Sequence, residues 1–193
     1  MTAGPAGVCP VLTTPRLTLG PHRVEDYGDS LALWADPEVV RHIGGSPSSA
    51  QDTWARQLRY AGLWPLVGYG YWQVRETATG RFAGEVGFAE FRRDLTPSLV
   101  GFPEAGWVLS PWAQGKGIAR EATEAIFAWA DRVLGAERTV CMIAPENAPS
   151  LALAARLGFK VFAESLYRGD PTVLLERWRP DQAGGGDEMR SDA

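Results

Sequence analysis

Histidine and cysteine are scarce in this chain of 193 residues: His22, His42, Cys9 and Cys141 are the whole supply. The two cysteines are far apart, one near the N-terminus and one inside an apolar run. A disulfide framework is therefore excluded and a reducing compartment expected. No His/Cys pair stands at ligand spacing, so no metal is expected. Long apolar runs are missing as well. No uninterrupted stretch approaches the ~18 residues of a membrane span, and residues 1–10 lack a basic stretch followed by an apolar one. The expectation is a cytoplasmic protein with no membrane partner. Positive charge is not in surplus either: 19 Lys and Arg face 23 Asp and Glu, a formal net charge of −4. That balance argues against nucleic acid as a partner, because a phosphate backbone demands a basic face.

The apolar share, 45% of residues, supplies a core for one domain of ordinary size. Residues 1–11, small and with two prolines, and 180–193, with Gly184-Gly185-Gly186 among charges, read as flexible tails around one domain at 12–179. Within it, Arg16-Leu17-Thr18-Leu19 alternates as a strand and stops at Gly20-Pro21. A helix is expected over 25–35, ended by Asp36-Pro37, since the residue before proline is pushed out of the helical region. Ser48 or Ser49, with Gln51 and Asp52 three residues on, opens a second helix to about Gly62. Residues 69–75 and 82–91 read as a hairpin, 92–103 as a loop, and Glu104 to Leu109 as a strand halted by Ser110-Pro111. Ile118, Ala122, Ala125, Ile126, Trp129, Ala130 and Val133 then recur at helical spacing. A β-branched strand at 138–143 and a helix at 148–157 follow, the helix closed by Gly158. A hairpin of 159–167 and 172–179 around Gly169-Asp170-Pro171 ends the pattern. The order β-α-α-β-β-β-α-β-α-β-β implies an α/β (α+β) fold with a mixed sheet flanked by helices.

Between the strand at 104–109 and the amphipathic helix lies Gln114-Gly115-Lys116-Gly117-Ile118-Ala119. Two residues without Cβ let backbone N–H groups approach a ligand, and the free N–H groups at a helix start carry partial positive charge. Such a junction binds phosphate oxygens, with Lys116 adding charge. The spacing alone also fits a plain glycine-rich turn; its place between strand and helix favours the phosphate reading. A Walker loop is excluded because Ser110 replaces its first glycine and Gly117 follows Lys116, and a dinucleotide fingerprint fails at Arg120.

The chain here resembles the GNAT superfamily of acyl-CoA-dependent N-acyltransferases, whose pyrophosphate signature is Arg/Gln-x-x-Gly-x-Gly/Ala. Residues 114–119 match it, Asn147-x-x-Ser150 follows the next strand, and Leu157-Gly158-Phe159 closes the short helix. Leu12-Thr13-Thr14-Pro15-Arg16-Leu17-Thr18-Leu19 and Asp36-Pro37-Glu38-Val39 are similar to the subgroup of ribosomal-protein N-terminal acetyltransferases. The resemblance implies three αβα layers and a mostly antiparallel sheet splayed open between the strands at 104–109 and 138–143. It implies acetyl-CoA as co-substrate, an amine acceptor and, by resemblance only, a homodimer. The pantetheine arm would lie in the splay against the backbone of Trp107, Val108 and Leu109, with the pyrophosphate on Gln114, Gly115, Lys116, Gly117, Ile118 and Ala119.

Attack by an amine on the thioester requires loss of a proton, because alkylamines are protonated at neutral pH. Glu104 is the first candidate base and Glu85 the second. A backbone N–H near Val108 or Leu109 would hold the oxyanion. Many relatives carry a tyrosine acid seven residues after the asparagine; that position is Ala154, so Ser150 is the expected substitute and Asn147 the group that orients the pantetheine amides. The acceptor expected is a protein N-terminal amine or a small-molecule amine. A second reading, motivated by Ala154, is a catalytically silent acyl-CoA sensor. Trp64, Tyr69, Tyr71, Trp72, Phe88, Phe91 and Trp107 are expected mainly in the core, with one or two lining the acceptor side.

Overall fold

In the computed structural model, which describes residues 7–180, the leucines of Leu17-Thr18-Leu19 are fully buried and Thr18 is half-exposed. This segment is β2 (Leu17–Gly20), preceded by the short β1 (Leu12–Thr13), which the sequence did not suggest. The helices that follow are α1 (Tyr27–Ala35), entered through a 3-10 turn at Val24–Asp26, α2 (Pro37–Val40) and α3 (Ala50–Val67). Asp36 both ends α1 and caps α2, its side chain accepting the Glu38 N–H at 2.9 Å. That single turn after a proline was too short to leave a periodic signal. Ser49 caps α3 by accepting the Asp52 N–H at 3.1 Å.

The α3 helix runs past Gly62 and even through Pro65, ending at Gly68 with φ +82. Tertiary packing explains the excess length. Trp64 lies edge-on to Trp72 and Trp129, at 4.6 and 5.5 Å between ring centroids, and donates its indole N–H to the Tyr71 carbonyl. Burial of a side chain that size outweighs the propensity cost of one glycine.

The sheet continues with β3 (Tyr71–Glu76), β4 (Phe82–Ala89) and β5 (Glu104–Leu109); after the helix α4 (Ile118–Val133) come β6 (Arg138–Ile143), helix α5 (Ala148–Arg156), β7 (Lys160–Tyr167) and β8 (Asp170–Trp178). All eight strands form one sheet in the order β1-β2-β3-β4-β5-β6-β8-β7. Every pairing is antiparallel except β5 with β6. The last hairpin turns on Arg168-Gly169, with Tyr167 opposite Asp170, so Pro171 stands inside β8 and not in the turn. It is tolerated there because β6 begins to pair with β8 only at Val173.

On one face α4 and α5 bury the main core, in which Ile118, Ala122, Ile126, Trp129 and Ala130 meet Val74, Val86 and Phe88. The buried stripe of α4 keeps Ile118, Ala122, Ile126, Trp129 and Ala130 of the expected set and is wider on one side, with Thr123 and Phe127 also inside and Val133 half outside. The other face carries α1 to α3 over the first half of the sheet. Over the second half the loop between β4 and β5 does that work, pressing Leu95 and Leu99 onto Val140 and Leu174. The architecture is mixed α/β in three layers, with a mostly antiparallel sheet. Of the expected tails, residues 1–6 and 181–193 lie outside the described residues. From Gly7 the chain lies against the domain, where the Pro10 carbonyl accepts the Trp72 indole N–H at 2.7 Å.

Candidate active site

Alone among neighbouring strands, β5 and β6 pair at a single position, Glu104 with Val140, supported by the Val140 N–H on the Pro103 carbonyl at 3.0 Å. Beyond that point the strands part. Alternate backbone groups of β5 from Ala105 on therefore face a gap and not a partner strand. The sheet is splayed where the resemblance implied.

At the wide end of this gap stands the junction with α4. Gly115 and Gly117 have φ +70 and +73, the left-handed region that costs an L-residue about 1–2 kcal/mol. Space is not the constraint, for a Cβ on Gly115 would meet nothing within 4 Å and one on Gly117 only Arg16 Nη2 at 3.5 Å. The glycines are needed for the backbone turn that leaves room above the helix. Gly117 caps α4 without any side-chain hydrogen bond, so the leading N–H groups at Ile118 and Ala119 point into that room. Gln114 uses its side-chain amide internally, donating to the Leu109 carbonyl at 3.1 Å and bracing the loop against the end of β5. Lys116 is exposed, its Nζ 5.3 Å from the Trp112 ring.

A clamp absent from the sequence reading holds this loop. Glu121, in the first turn of α4, accepts from Thr14 Oγ1 at 2.6 Å, the Arg16 N–H at 2.9 Å and Arg16 Nε at 2.6 Å. Arg16 Nη1 then donates to the Lys116 carbonyl at 3.0 Å. Burial pushes the Glu121 carboxyl up, but the hydrogen bonds from Thr14 and Arg16 outweigh it and hold the group below the usual carboxylate range. Positions more than 100 residues apart are joined here, which no local motif could reveal.

Across the gap, Trp107 Nε1 donates to Ser150 Oγ at 3.3 Å. Asn147 caps α5, its Oδ1 accepting the Ser150 N–H at 3.3 Å. Ala154, one turn further along α5, is fully buried in the main core. A tyrosine side chain at Ala154 would enter packed core.

The two candidate carboxylates lie one strand apart, with α1 and α3 on their side of the sheet. Glu104 is 5% exposed, and Arg93 Nε donates to both of its oxygens, at 3.0 and 2.9 Å. Burial pushes its carboxyl above the usual range while Arg93 works against that push. Glu85 is 1% exposed and is held by Ser30 Oγ at 2.6 Å and Trp34 Nε1 at 2.8 Å. Beside it His22 has two buried ring nitrogens without a partner; burial lowers its pKa, against the charges of Glu85 and Asp26. Both thiols are shifted the wrong way for nucleophiles: burial raises Cys9 to about 12 and lifts Cys141 well above the usual thiol value. The described residues contain no cluster of three or more side chains able to hold a metal, and no helix among them is long and apolar enough to cross a membrane. Of the expected aromatics, Trp64, Tyr69, Trp72 and Phe88 are core. Tyr71 stacks on Tyr60 at 4.1 Å, and Phe91 and Trp107 are half-buried.

The chain belongs to the acetyltransferase (GNAT) family: the family's sequence model for the acetyltransferase (GNAT) domain matches residues 16–160. A protein of Bordetella pertussis described as a GnaT-family acetyltransferase is 33% identical, with a TM-score of 0.78 over 87% of this chain and 99% of that one. The uncharacterised N-acetyltransferase p20 of Bacillus licheniformis is 27% identical over 150 residues, covering 77% of this chain and 82% of that protein. A spermidine N-acetyltransferase from Vibrio cholerae, solved with CoA and spermine, shares the fold at a TM-score of 0.67 and 16% identity, covering 86% of this chain and 97% of that one. The chain is thus an acyltransferase that uses acetyl-CoA for N-acetylation.

Proposed function

We propose that the chain transfers acetyl from acetyl-CoA directly to a primary amine, a protein N-terminus or a small molecule, with no acyl-enzyme stage. The observation that carries this reading is the splay of β5 from β6, open toward the glycine turn of α4 and crossed by the Trp107–Ser150 hydrogen bond. The thioester supplies the activated acyl group. The backbone N–H groups of Ile118 and Ala119 and the turn at Gly115 and Gly117 take the pyrophosphate. Gln114 shapes that turn, Lys116 adds positive charge beside it, and Arg16, paired with Glu121, braces it through the Lys116 carbonyl. Trp107, Val108 and Leu109 offer backbone groups to the pantetheine arm, Asn147 offers its free NH₂, and a N–H near Val108 or Leu109 holds the oxyanion.

Ser150 suits the departing thiolate for a specific reason. Because Trp107 donates to its oxygen, the hydroxyl proton remains available for the sulfur, and the donated bond polarises the O–H. Glu104 is the base that takes the ammonium proton, directly or through water. It starts the strand that borders the gap, and a carboxyl raised by burial is a stronger base than an ordinary carboxylate. Glu85, enclosed by Ser30 and Trp34, is read as the tie between α1 and β4. Placement of Ala154 in the core, with Ser150 at the gap, weighs against the silent sensor.

Calorimetry with acetyl-CoA, followed by thiol release over a panel of amines, tests the reading. Binding with release supports transfer. Binding with no release over the whole panel favours the sensor, and no binding at millimolar acetyl-CoA overturns both.

A further inference from the structure

Where the loop after β4 meets the β7–β8 turn, beside α3, the surface opens into a cleft of about 450 Å³. Four arginines line it, Arg59, Arg92, Arg93 and Arg168, against one acidic residue, Asp94. In a chain of net charge −4 this is a local reversal of sign. The cleft adjoins the candidate base, because Arg93 is the residue bound to Glu104.

Internal pairing consumes only part of this positive charge. Arg93 is spent on Glu104, and Arg92 reaches Glu90 at 3.1 Å with 76% of its side chain exposed. Arg59 and Arg168 have no carboxylate partner among the described residues; their guanidiniums lie 5.3 Å from the Phe91 ring and 5.4 Å from the Tyr167 ring. A guanidinium set against a ring keeps its N–H fork directed outward, as carboxylate recognition requires.

The backbone carries a second, independent mark. Among the described residues the only non-glycine positions with positive φ are Arg92, at +50, and Arg168, at +56. Both line this cleft. Arg168 is the first residue of a two-residue hairpin turn, a place where Gly, Asn or Asp relieves the strain and arginine does not. Residues held in such backbone conformations cluster at active sites and ligand clamps.

We infer that the cleft receives the anionic part of the acceptor, so that the substrate is a primary amine bearing carboxylates near the amine, and not a polyamine. This inference rests on the transfer reading above and narrows it. Arg59 and Arg168, without carboxylate partners among the described residues, and the largely exposed Arg92 repel a polycation and form charge-assisted hydrogen bonds with carboxylates. Two sources share that chemistry: a peptide N-terminus with acidic side chains at its second or third residue, and a free amino acid with an extra carboxylate.

The test is steady-state thiol release from acetyl-CoA with matched acceptors: peptides of acidic, amide and lysine-rich sequence behind the same free N-terminus, then glutamate, and then spermidine. The expected result is a kcat/KM for an acidic peptide or glutamate at least about tenfold above its neutral counterpart and about a hundredfold above the cationic ones. Whichever of those two arms saturates identifies the source. Arg59→Gln and Arg168→Gln should each raise KM about fivefold to tenfold for the anionic acceptor with little change in kcat, and the preference should shrink as salt is raised from 0.05 to 0.5 M. Equal or better kcat/KM for neutral or cationic amines, with transfer intact, overturns the anionic acceptor and leaves the transferase standing. Absence of transfer to any amine, with acetyl-CoA bound, overturns the transferase reading and the acceptor inference with it.

Discussion

At the C-terminal end of β5 the polar groups that face the gap belong to the backbone; at its N-terminal end, where β5 pairs with β6, the polar groups in and under the cleft belong to side chains. The first region is the turn through Gly115 and Gly117 and the start of α4, contiguous in sequence and exposed. The second joins Arg59, Arg93, Glu104, Tyr167 and Arg168, brought together from α3, a loop, β5 and the last hairpin. A backbone site tolerates most substitutions short of adding a Cβ to a left-handed residue. A side-chain site changes with each member, so the first region can keep one ligand while the second changes its acceptor.

Breaking the backbone region should have the largest effect. Gly117→Asp keeps a residue type suited to a helix start but places a side chain and a negative charge at the anion site. Acetyl-CoA affinity should fall ~100-fold, from ~1 kcal/mol of lost helix-terminus attraction and ~1–2 kcal/mol of repulsion between the new carboxylate and the pyrophosphate. Calorimetry reads the loss, and the ~1–2 kcal/mol of left-handed strain at φ +73 falls on the free fold, lowering its melting temperature by about 2–8 °C with the cooperative transition kept.

The two carboxylates sharpen the contrast within the side-chain region. Glu104→Gln should lower kcat about 100-fold, the low end of general-base contributions, with acetyl-CoA affinity retained. Glu85→Gln should do the reverse: an amide NH₂ facing the donors of Ser30 and Trp34 costs about 2 kcal/mol of stability, seen as a melting temperature lower by about 4–8 °C, with kcat nearly unchanged below the transition. An unaffected rate in the first variant and a collapsed rate in the second would exchange their roles.

Ser150→Ala probes the crossing of the gap. Thiolate departure should slow about tenfold, the worth of one hydrogen bond to a charged group, with KM for acetyl-CoA within about twofold. The smallest effect belongs to the clamp. A carboxyl held below its usual range contributes stability that is present above the ordinary carboxylate pKa and lost as pH falls through its own lower value. Glu121→Gln should therefore lower the melting temperature by about 2–4 °C at pH 7, and the difference from wild type should close in acid. A gap that stayed constant down to pH 3 would deny the clamp its charge.

Legibility in the sequence followed the same division. The strand Glu104–Leu109, the helix opening at Ile118 and the cap of α5 at Asn147 were readable, because each is written in neighbouring residues as alternation, helical spacing or a capping pattern. The course of α3 through Pro65 was not, since Trp64 owes its burial to Trp72 and Trp129. The hold of Arg16 and Glu121 on the glycine turn was equally hidden. Arg92 and Arg93 were indistinguishable from solvated loop charges until one was seen bound to a buried carboxylate and both were seen lining a cleft.

By itself, then, the sequence determined the order of the longer elements and the glycine turn that opens α4, which depend on contacts within a few residues, and its resemblance to a family pointed to the acetyl-CoA chemistry. The tertiary structure alone decided that Ser150 meets Trp107 across the gap, that Ala154 is core, and that buried Glu104 is bound by Arg93, which lines an arginine-rich cleft. Those facts depend on which strands part and which loops close over them, and that is settled by burial of side chains distant in the chain.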